Sequence, residues 1–344
     1  MADSSSSGDI ASFEEIRALT AELPGPDLDA ARAAVEREAV LIKPNGALGR
    51  LEELSHWLAA WQGRHPPRVE HPRTAVFAGN HGVTARGVSA YPGAVTEQMV
   101  RNFIAGGAAV NQLCHTFDAD LRVYELALEE PTRDFTQAAA MEEEECSRAM
   151  AYGMMAVEPG LDVLCLGEMG IGNTTSAAAL CLALFGGEAE EWTGTGTGVS
   201  GEALKGKINT VATGVSYHAD RAGDPLAILA ALGGLELAAI AGAVLAARMA
   251  RTPVLLDGFA CSAAAAVLHV LHPGALDHCT VAHLSVEPGH RRLLDRIKKR
   301  PLLDFNMRLG EGSGATLALG ILKAAVACHS GMASFADASV SGPS

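Results

Sequence analysis

Residues 308–320, RLGEGSGATLALG, carry one carboxylate, Glu311, between two glycines and just before an apolar run that predicts a helix. Glycine here allows a tight turn or a close approach of the backbone to a ligand. A carboxylate is favourable near a helix N-terminus, but Gly-Glu-Gly is a poor cap compared with Ser, Thr, Asp or Asn at the N-cap position. The pattern therefore favours a carboxylate that faces a ligand, and a helix-start charge is the alternative.

A second glycine-rich stretch, LCLGEMGIGNTTSAAAL at residues 164–180, includes the end of an apolar segment at 163–166 that predicts a buried strand. Because free N–H groups at a helix start bind anions, this pattern indicates a phosphate site, with a ligand-free turn as the alternative. Glu168 would not help to bind phosphate, but it could hold a ribose hydroxyl. The glycines that open the loop and the candidate caps of the next helix are Gly167, Gly170 and Gly172, then Asn173, Thr174 and Thr175.

Two phosphate-binding patterns nearby lack the context that they need. Residues 196–201 fit GxGxxG, but no apolar strand precedes them, so a dinucleotide-binding loop is disfavoured. Residues 201–207 fit GxxxxGK, but Ile208 stands where a P-loop has the Ser or Thr that holds magnesium. Lys207 could still reach a phosphate as a point charge, and a surface lysine is the alternative.

The stretch FAGNHGVTARGVSAYPG, residues 77–93, places Asn80 and His81 at a strand end, where a hydrogen-bonding histidine is favoured over a catalyst. GxSxG is absent, which disfavours a covalent hydrolase. Seven cysteines without a CxxC pair indicate a reducing cytosol and no disulfide framework. Cys279 and His283 have a loose metal-like spacing, but we predict no metal site.

Five short apolar runs end in glycine-rich or polar loops, and Ala-rich helical segments separate most of them. This repeat predicts an α/β fold, with a mainly parallel sheet and helices on both faces. Such sheets bind ligands beyond the carboxyl ends of their strands, so the five loops are expected to meet at one edge. The runs begin at residues 74, 161, 252, 279 and 301 and read TAVFAGNHG, LDVLCLGEMGIGNTT, TPVLLDGFA, CTVAHLSVEPG and PLLDFNMRLGEGSG.

The remaining segments predict helices around this sheet. A helical pattern from Phe13 to about Gly63 precedes the break RHPPRVEHPR, and residues 1–12 are expected to form a loose tail. The apolar stretch 226–250 is long enough to span a membrane, but it contains three glycines and the charges of Glu236 and Arg248. A buried, close-packed helix pair is therefore favoured.

Composition limits the classes of function. The 344 residues are 49% hydrophobic and include 37 glycines, which suits one large α/β domain or two domains. The net charge of −14 argues against a nucleic-acid partner. The polar, acidic N-terminal segment lacks the apolar core of a signal peptide. We expect a cytoplasmic protein with no nucleic-acid or membrane partner.

Six stretches follow one another along the chain: KPNGALGRLEEL, FAGNHGV…GVSAYP, GEMGIGNTT, LLDGF, HLSVEPGH and RLGEGSGA. Together they resemble the nicotinate-nucleotide–dimethylbenzimidazole phosphoribosyltransferases of cobalamin lower-ligand synthesis, in family order from Lys43 to about Ala325. The resemblance implies transfer of phosphoribose from nicotinate mononucleotide to a benzimidazole nitrogen, giving α-ribazole 5′-phosphate and nicotinate. It also implies a homodimer and no metal or redox cofactor.

The resemblance also implies a Rossmann-like sheet domain and a small helical domain built from both chain ends. We therefore expect residues 13–70 to form the N-terminal part of the small domain and residues 71–315 to form the α/β substrate-binding domain. Residues 316–344 would supply the C-terminal helix that completes the small domain, followed by a loose tail.

Substrate contacts follow from the same resemblance. It implies that Tyr91, Met99 and Met169 line the benzimidazole pocket and that phosphate lies against residues 170–175, assisted by Lys207. Asn80 stands where many members have Asp, so it keeps hydrogen bonding but loses a charge, whereas Ser313 keeps the hydroxyl of the more common Thr. The matching stretches add further expected substrate-binding residues: Glu168, Ser285, Arg308, Leu309 and Gly310.

We assign Glu311 as the general base for this reaction, because an attacking benzimidazole becomes cationic unless its other N–H proton is removed. Burial would raise the pKa of Glu311 and the helix start would lower it; we expect an ionised carboxylate at pH 7. Two alternatives stay open: a phosphoribosyltransferase for another purine or phenolic acceptor, and a non-catalytic nucleotide sensor. Glu311 argues against the sensor, since binding of an anionic nucleotide gains nothing from a nearby carboxylate.

Overall fold

The computed structural model describes residues 12–341 and places five parallel strands in one sheet, in the order β2-β1-β3-β4-β5. The α/β fold with a parallel sheet is therefore confirmed. Strands β1 and β3 lie inside the sheet and are almost wholly buried, as their apolar runs predict. The strands are β1 (Pro72–Gly79), β2 (Asp120–Leu126), β3 (Val163–Met169), β4 (Val254–Leu256) and β5 (Cys279–Val281).

The sheet differs from the sequence prediction at both edges. The run that begins at residue 301 is not a strand: it follows β5 through a few backbone hydrogen bonds and one bridge between His283 and Leu303. Asn306, with a φ of +54°, interrupts the extended backbone of this segment. The edge strand is instead β2, which pairs with β1 alone. Its side chains are mostly exposed or half-buried, and its sequence DLRVYEL accordingly mixes charged and apolar residues.

The helical pattern of residues 13–63 is confirmed as three helices, and Ser12, predicted as part of the tail, caps the first of them. The rest of that tail, residues 1–11, lies outside the described residues. Two short 3₁₀ helices span Gly82–Arg86 and Ala219–Arg221. The described α-helices are α1 (Phe13–Ala21), α2 (Leu28–Val40), α3 (Arg50–Gln62), α4 (Val95–Ala105), α5 (Ala109–Thr116), α6 (Glu143–Met154), α7 (Asn173–Phe185), α8 (Ala189–Trp192), α9 (Gly201–Tyr217), α10 (Pro225–Leu232), α11 (Leu235–Met249), α12 (Phe259–Leu271), α13 (Pro288–Arg296) and α14 (Ser313–Gly331).

The apolar stretch 226–250 forms the predicted buried pair, α10 and α11. Helix α11 packs against α6 so closely that a Cβ at Gly153 or Gly242 would collide with the facing backbone. This contact explains the abundance of small residues in both helices. Among the described helices, α14 is the one that is long and apolar enough to cross a membrane, but it packs against α3, α5 and β3.

The two ends of the described chain meet beside the sheet. Leu41 pairs with Ser334 in an antiparallel bridge, and Arg37 donates to the backbone oxygens of His329 and Met332. Ser55 on α3 donates to the oxygen of Ala325 on α14. These contacts bring α2, α3 and α14 together, while the domain boundaries at residues 70 and 315 stay predictions.

Candidate active site

A cavity of about 670 Å³ opens at the carboxyl edge of the sheet, where parallel sheets bind their ligands. It gathers residues from the loops after β3, β4 and β5 and from the segment before α14. Most of the residues singled out in the sequence line it: Tyr91, Met99, Glu168, Met169, Gly170, Asn173, Thr174, Ser285, Arg308, Leu309, Gly310 and Glu311.

Glu311 lies at the floor of this cavity, with 6% of its surface exposed. Its backbone has a φ of +63°, between Gly310 at +80° and Gly312 at +73°, and its N–H donates to the oxygen of Glu168. Helix α14 begins only at Ser313, after the N-cap Gly312. The alternative of a first-turn helix charge is therefore wrong.

Burial, and then the negative charge of Asp257, raise the pKa of Glu311 to about 7. At neutral pH the site therefore holds ionised and protonated Glu311 in similar amounts, rather than the fully ionised form expected from the sequence. Asp257 accepts the N–H groups of Gly312 and Ala315 at the start of α14.

Glu168 follows the same pattern at the end of β3. Its side chain accepts a hydrogen bond from the amide of Asn173 and packs against Gly310, where a Cβ would approach within 2.6 Å. Burial and the charge of Asp257 raise the pKa of Glu168 well above its usual value. A protonated Glu168 can both donate and accept a hydrogen bond at pH 7.

The predicted phosphate loop has a different cap from the one expected. Gly172, with a φ of +97°, is the N-cap of α7, and the expected side-chain caps at residues 173–175 are wrong. Asn173 instead donates to Glu168, and Thr174 accepts a hydrogen bond of 2.8 Å from the Nζ of Lys207. Gly172 and Thr175 support the loop, but they do not line the cavity.

Lys207 is buried, with 1% of its surface exposed, so the surface-lysine alternative is wrong. It extends from α9 to a position behind Thr174, and a Cβ at Gly196 would lie 2.7 Å from its Nζ. Burial lowers the pKa of Lys207 to about 8, against the opposing charge of Glu287. A buried ammonium with a hydroxyl as its partner is well placed to gain an anionic ligand.

One part of the cavity lining is apolar and aromatic. Met169 and Met99 belong to or pack against one apolar cluster, whereas Tyr91 is 55% exposed at the rim. Arg308 donates to the backbone oxygen of Gly196, which ties the rim of the cavity together. Ser285 accepts a hydrogen bond from the backbone of Glu287, at the mouth of the loop after β5.

A phosphoribosyltransferase family model matches residues 23–340. Nicotinate-nucleotide–dimethylbenzimidazole phosphoribosyltransferases from Brucella anthropi and Rhizobium etli are 57% and 58% identical, each over 96% of this chain and 97% of their own length. The chain belongs to this family. A solved structure of CobT from Thermus thermophilus is 42% identical and superimposes with a TM-score of 0.86, over 92% of this chain and 100% of the other.

Asn80, which departs from the common family residue, is not in the main cavity. Its amide donates to the oxygen of Leu128, and it lines a neighbouring cavity of about 660 Å³ on the other side of the segment before α4. Asn80 therefore does not line the cavity that contains Glu311, and its expected role in substrate binding stays a prediction.

Sequence reasoning missed three polar residues of this family member. Asp257 and His283 follow β4 and β5, as Glu168 ends β3, so the strand-end rule could have found them. The third, Glu236, shares a hydrogen bond of 2.6 Å with His81, and the other ring nitrogen of His81 lies 3.1 Å from Ser176. His81 is thus a hydrogen-bonded core residue, as the sequence favoured.

Proposed function

We propose that this chain transfers phosphoribose from nicotinate mononucleotide to 5,6-dimethylbenzimidazole, giving α-ribazole 5′-phosphate and nicotinate for the lower ligand of cobalamin. The observation that carries the proposal is Glu311, a buried carboxyl with a pKa of about 7 in a cavity between a phosphate loop and an apolar wall. A base whose pKa lies near the working pH is the most effective one for proton transfer.

One benzimidazole nitrogen attacks the anomeric carbon of the ribose with its lone pair. The bond from that carbon to the nicotinate nitrogen breaks, and its electron pair leaves with nicotinate, whose pyridinium charge is neutralised. The proton on the other benzimidazole nitrogen passes to Glu311, so the product base is uncharged. The reaction needs no oxidant or reductant, and the side chains of the cavity suffice for the proton transfer.

The phosphate lies at the start of α7, against Gly170, Thr174 and the loop between them, with Lys207 behind. A helix N-terminus and a buried ammonium favour the same anion. Lys207 acts through its charge and through Thr174, whose hydroxyl it already contacts.

Glu168 binds the ribose. Its protonated form presents a donor and an acceptor beside Asn173, which is what a hydroxyl pair requires. A carboxylate this close to a phosphate loop would repel the nucleotide if it were charged. The raised pKa of Glu168 removes that repulsion.

The acceptor base lies between Tyr91, Met99 and Met169. A flat apolar ring suits an aromatic edge and polarisable thioethers. The glycines on both sides of Glu311 leave the space in which a planar base and a carboxylate can meet.

The protein works as a cytoplasmic homodimer with two small-molecule substrates and no nucleic acid, membrane or cofactor. A net charge of −14 favours small-molecule chemistry over nucleic-acid binding. The oligomeric state is measured by sedimentation equilibrium, in which a monomer would contradict the homodimer.

Incubation of the purified chain with nicotinate mononucleotide and a panel of bases tests the function. Nicotinate release that depends on dimethylbenzimidazole supports the proposal. Release with another purine or phenolic base alone would make the chain a transferase for that acceptor, and nucleotide binding without any release would make it a sensor.

A further inference from the structure

Asp257 is a fully buried carboxylate immediately after β4, and its side chain reaches the segment that carries Glu311. One oxygen accepts the N–H of Gly312 at 3.2 Å, and the other accepts the N–H of Ala315 at 2.8 Å. Asp257 thus takes up donors at the start of α14 directly after Glu311.

The backbone that Asp257 holds is strained. Gly310, Glu311 and Gly312 all have positive φ values, a conformation that costs free energy for a residue with a Cβ. Other hydrogen bonds also hold the turn: the N–H of Glu311 donates to the backbone oxygen of Glu168, and both the N–H and the hydroxyl of Ser313 donate to the oxygen of Gly310. The bond from Gly312 to Asp257 is the one that anchors this turn to β4.

We propose that Asp257 is the positioning residue of Glu311: its carboxylate fixes the strained turn so that the Glu311 side chain faces the cavity. This inference rests on the proposed role of Glu311 as the base. Asp257 touches no substrate atom and acts through the backbone of Gly312.

Charge adds a second effect of the same residue. Glu168 on β3 and Asp257 just after β4 approach Glu311, and His283, which follows β5, lies with its Nε2 3.6 Å from the Oδ1 of Asp257. Asp257 contributes to the raised pKa of Glu311, after burial. Removal of the Asp257 charge should therefore lower the pKa of Glu311.

The test compares Asp257→Asn with Asp27→Asn. Asp27 is a matched control, because it caps α2 by accepting the N–H groups of Asp29 and Ala30, far from the cavity. Kinetics are measured from about pH 5 to pH 9, with thermal unfolding recorded and rates normalised to the folded fraction.

For Asp257→Asn we expect kcat to fall by about tenfold or more, because small displacements of a catalytic group are costly. The KM for nicotinate mononucleotide should change by less than about twofold, because the substitution removes no contact that binds the nucleotide equally in the ground state and the transition state. The acid limb of kcat/KM should move to lower pH. Asp27→Asn should change none of these, even if it lowers the unfolding temperature.

Asp257→Glu is the second variant. It keeps the charge and displaces the oxygens, so kcat should fall while the acid limb stays in place. If folded Asp257→Asn keeps the wild-type kcat and acid limb, Asp257 is only a helix cap and the inference fails. The function is tested separately: normal turnover in Glu311→Gln would overturn the base assignment, whatever Asp257→Asn does.

Discussion

The cavity and the small helical region both bury carboxylates, but they treat them in opposite ways. We call Glu38, Lys43, Glu52 and His329 the helical-region cluster. In it, the Nζ of Lys43 lies 2.9 Å from Glu38 and 2.8 Å from Glu52, and His329 lies 2.7 Å from Glu38. At the cavity, Glu168 and Glu311 are part of the lining, and the buried Asp257 raises the pKa of both. The Nε2 of His283 lies 3.6 Å from the Oδ1 of Asp257.

The pKa values separate the two regions. Burial would raise the pKa of Glu38, but His329 and Lys43 outweigh it and the pKa is lowered. Burial, and then the negative charge of Asp257, raise the pKa of Glu311 to about 7. A buried carboxylate that is paired with cations stabilises the fold, whereas a buried carboxyl whose pKa is raised toward neutrality is available for proton transfer.

The comparison predicts the largest effect for Glu311→Gln, which keeps the shape of the side chain and removes its basicity. We expect kcat to fall by at least about 10²-fold, the typical contribution of a general base. Nicotinate mononucleotide should still bind, which equilibrium dialysis can measure. Glu143→Gln, an exposed change on α6, is the control. Near-normal turnover in a folded Glu311→Gln protein would remove Glu311 from the mechanism.

Lys43→Met should lower the free energy of unfolding through the helical region and leave catalysis unchanged. It leaves Glu38 and Glu52 buried without their shared cation, a type of loss that costs about 3 kcal/mol. Denaturant unfolding measures the loss, and kcat per folded molecule should stay at the wild-type value. Lys323→Met, which breaks the exposed pair with Asp118, should cost less than about 1 kcal/mol. Equal losses in both variants would contradict the structural role of the cluster.

Lys207→Ala tests whether the buried ammonium serves the ligand or the fold. Loss of a charge-assisted contact to phosphate is worth about 1.5–3 kcal/mol, so the KM for nicotinate mononucleotide should rise while kcat falls less. Lys205→Ala, an exposed change on the same helix, is the control. An unchanged nucleotide KM would exclude Lys207 from phosphate binding.

What the sequence could predict in these regions was local. An apolar run followed by glycines identified the loops with Glu168 and Glu311, because both the turn and the ligand contact are encoded within about ten residues. The pairing of Lys43 with Glu38 and Glu52 and the reach of Asp257 to Gly312 depend on how distant segments pack. No sequence pattern marks them.

Two errors have the same origin. The polar residues 173–175 predict a side-chain cap for α7. In the structure, however, the side chain of Asn173 donates to Glu168 and that of Thr174 accepts from Lys207, and Gly172 is the N-cap. The edge strand β2 has no clear strand pattern in its sequence, because its charged residues lie at exposed positions. Its pairing with β1 depends on tertiary packing. In each case the deciding partner lies elsewhere in the chain.

The pH dependence of kcat/KM for nicotinate mononucleotide should show both cavity groups. Glu311 must be ionised to accept a proton, so the value should rise with pH through about 7. Lys207 must be charged to attract phosphate, so the value should fall as pH rises through about 8. Each limb should change by about tenfold per pH unit outside this window. Glu311→Gln should abolish the acid limb and Lys207→Ala the alkaline one; a limb that survives its own variant belongs to another group.

The smallest effect is expected at the apolar wall, to which Tyr91 and Met99 belong. Changing both to Ala should alter the preference among benzimidazoles by about two- to tenfold, the scale of single aromatic contacts. Affinity for nicotinate mononucleotide should change less, because neither residue belongs to the phosphate loop at residues 170–175. Tyr217→Ala is a matched control, since Tyr217 is 56% exposed on α9 and Tyr91 is 55% exposed at the cavity. Competition between dimethylbenzimidazole and unsubstituted benzimidazole measures the ranking directly. If the ranking stays fixed while nucleotide affinity falls, this wall holds the nucleotide instead, and the acceptor must enter from the side of Ser285 and Arg308.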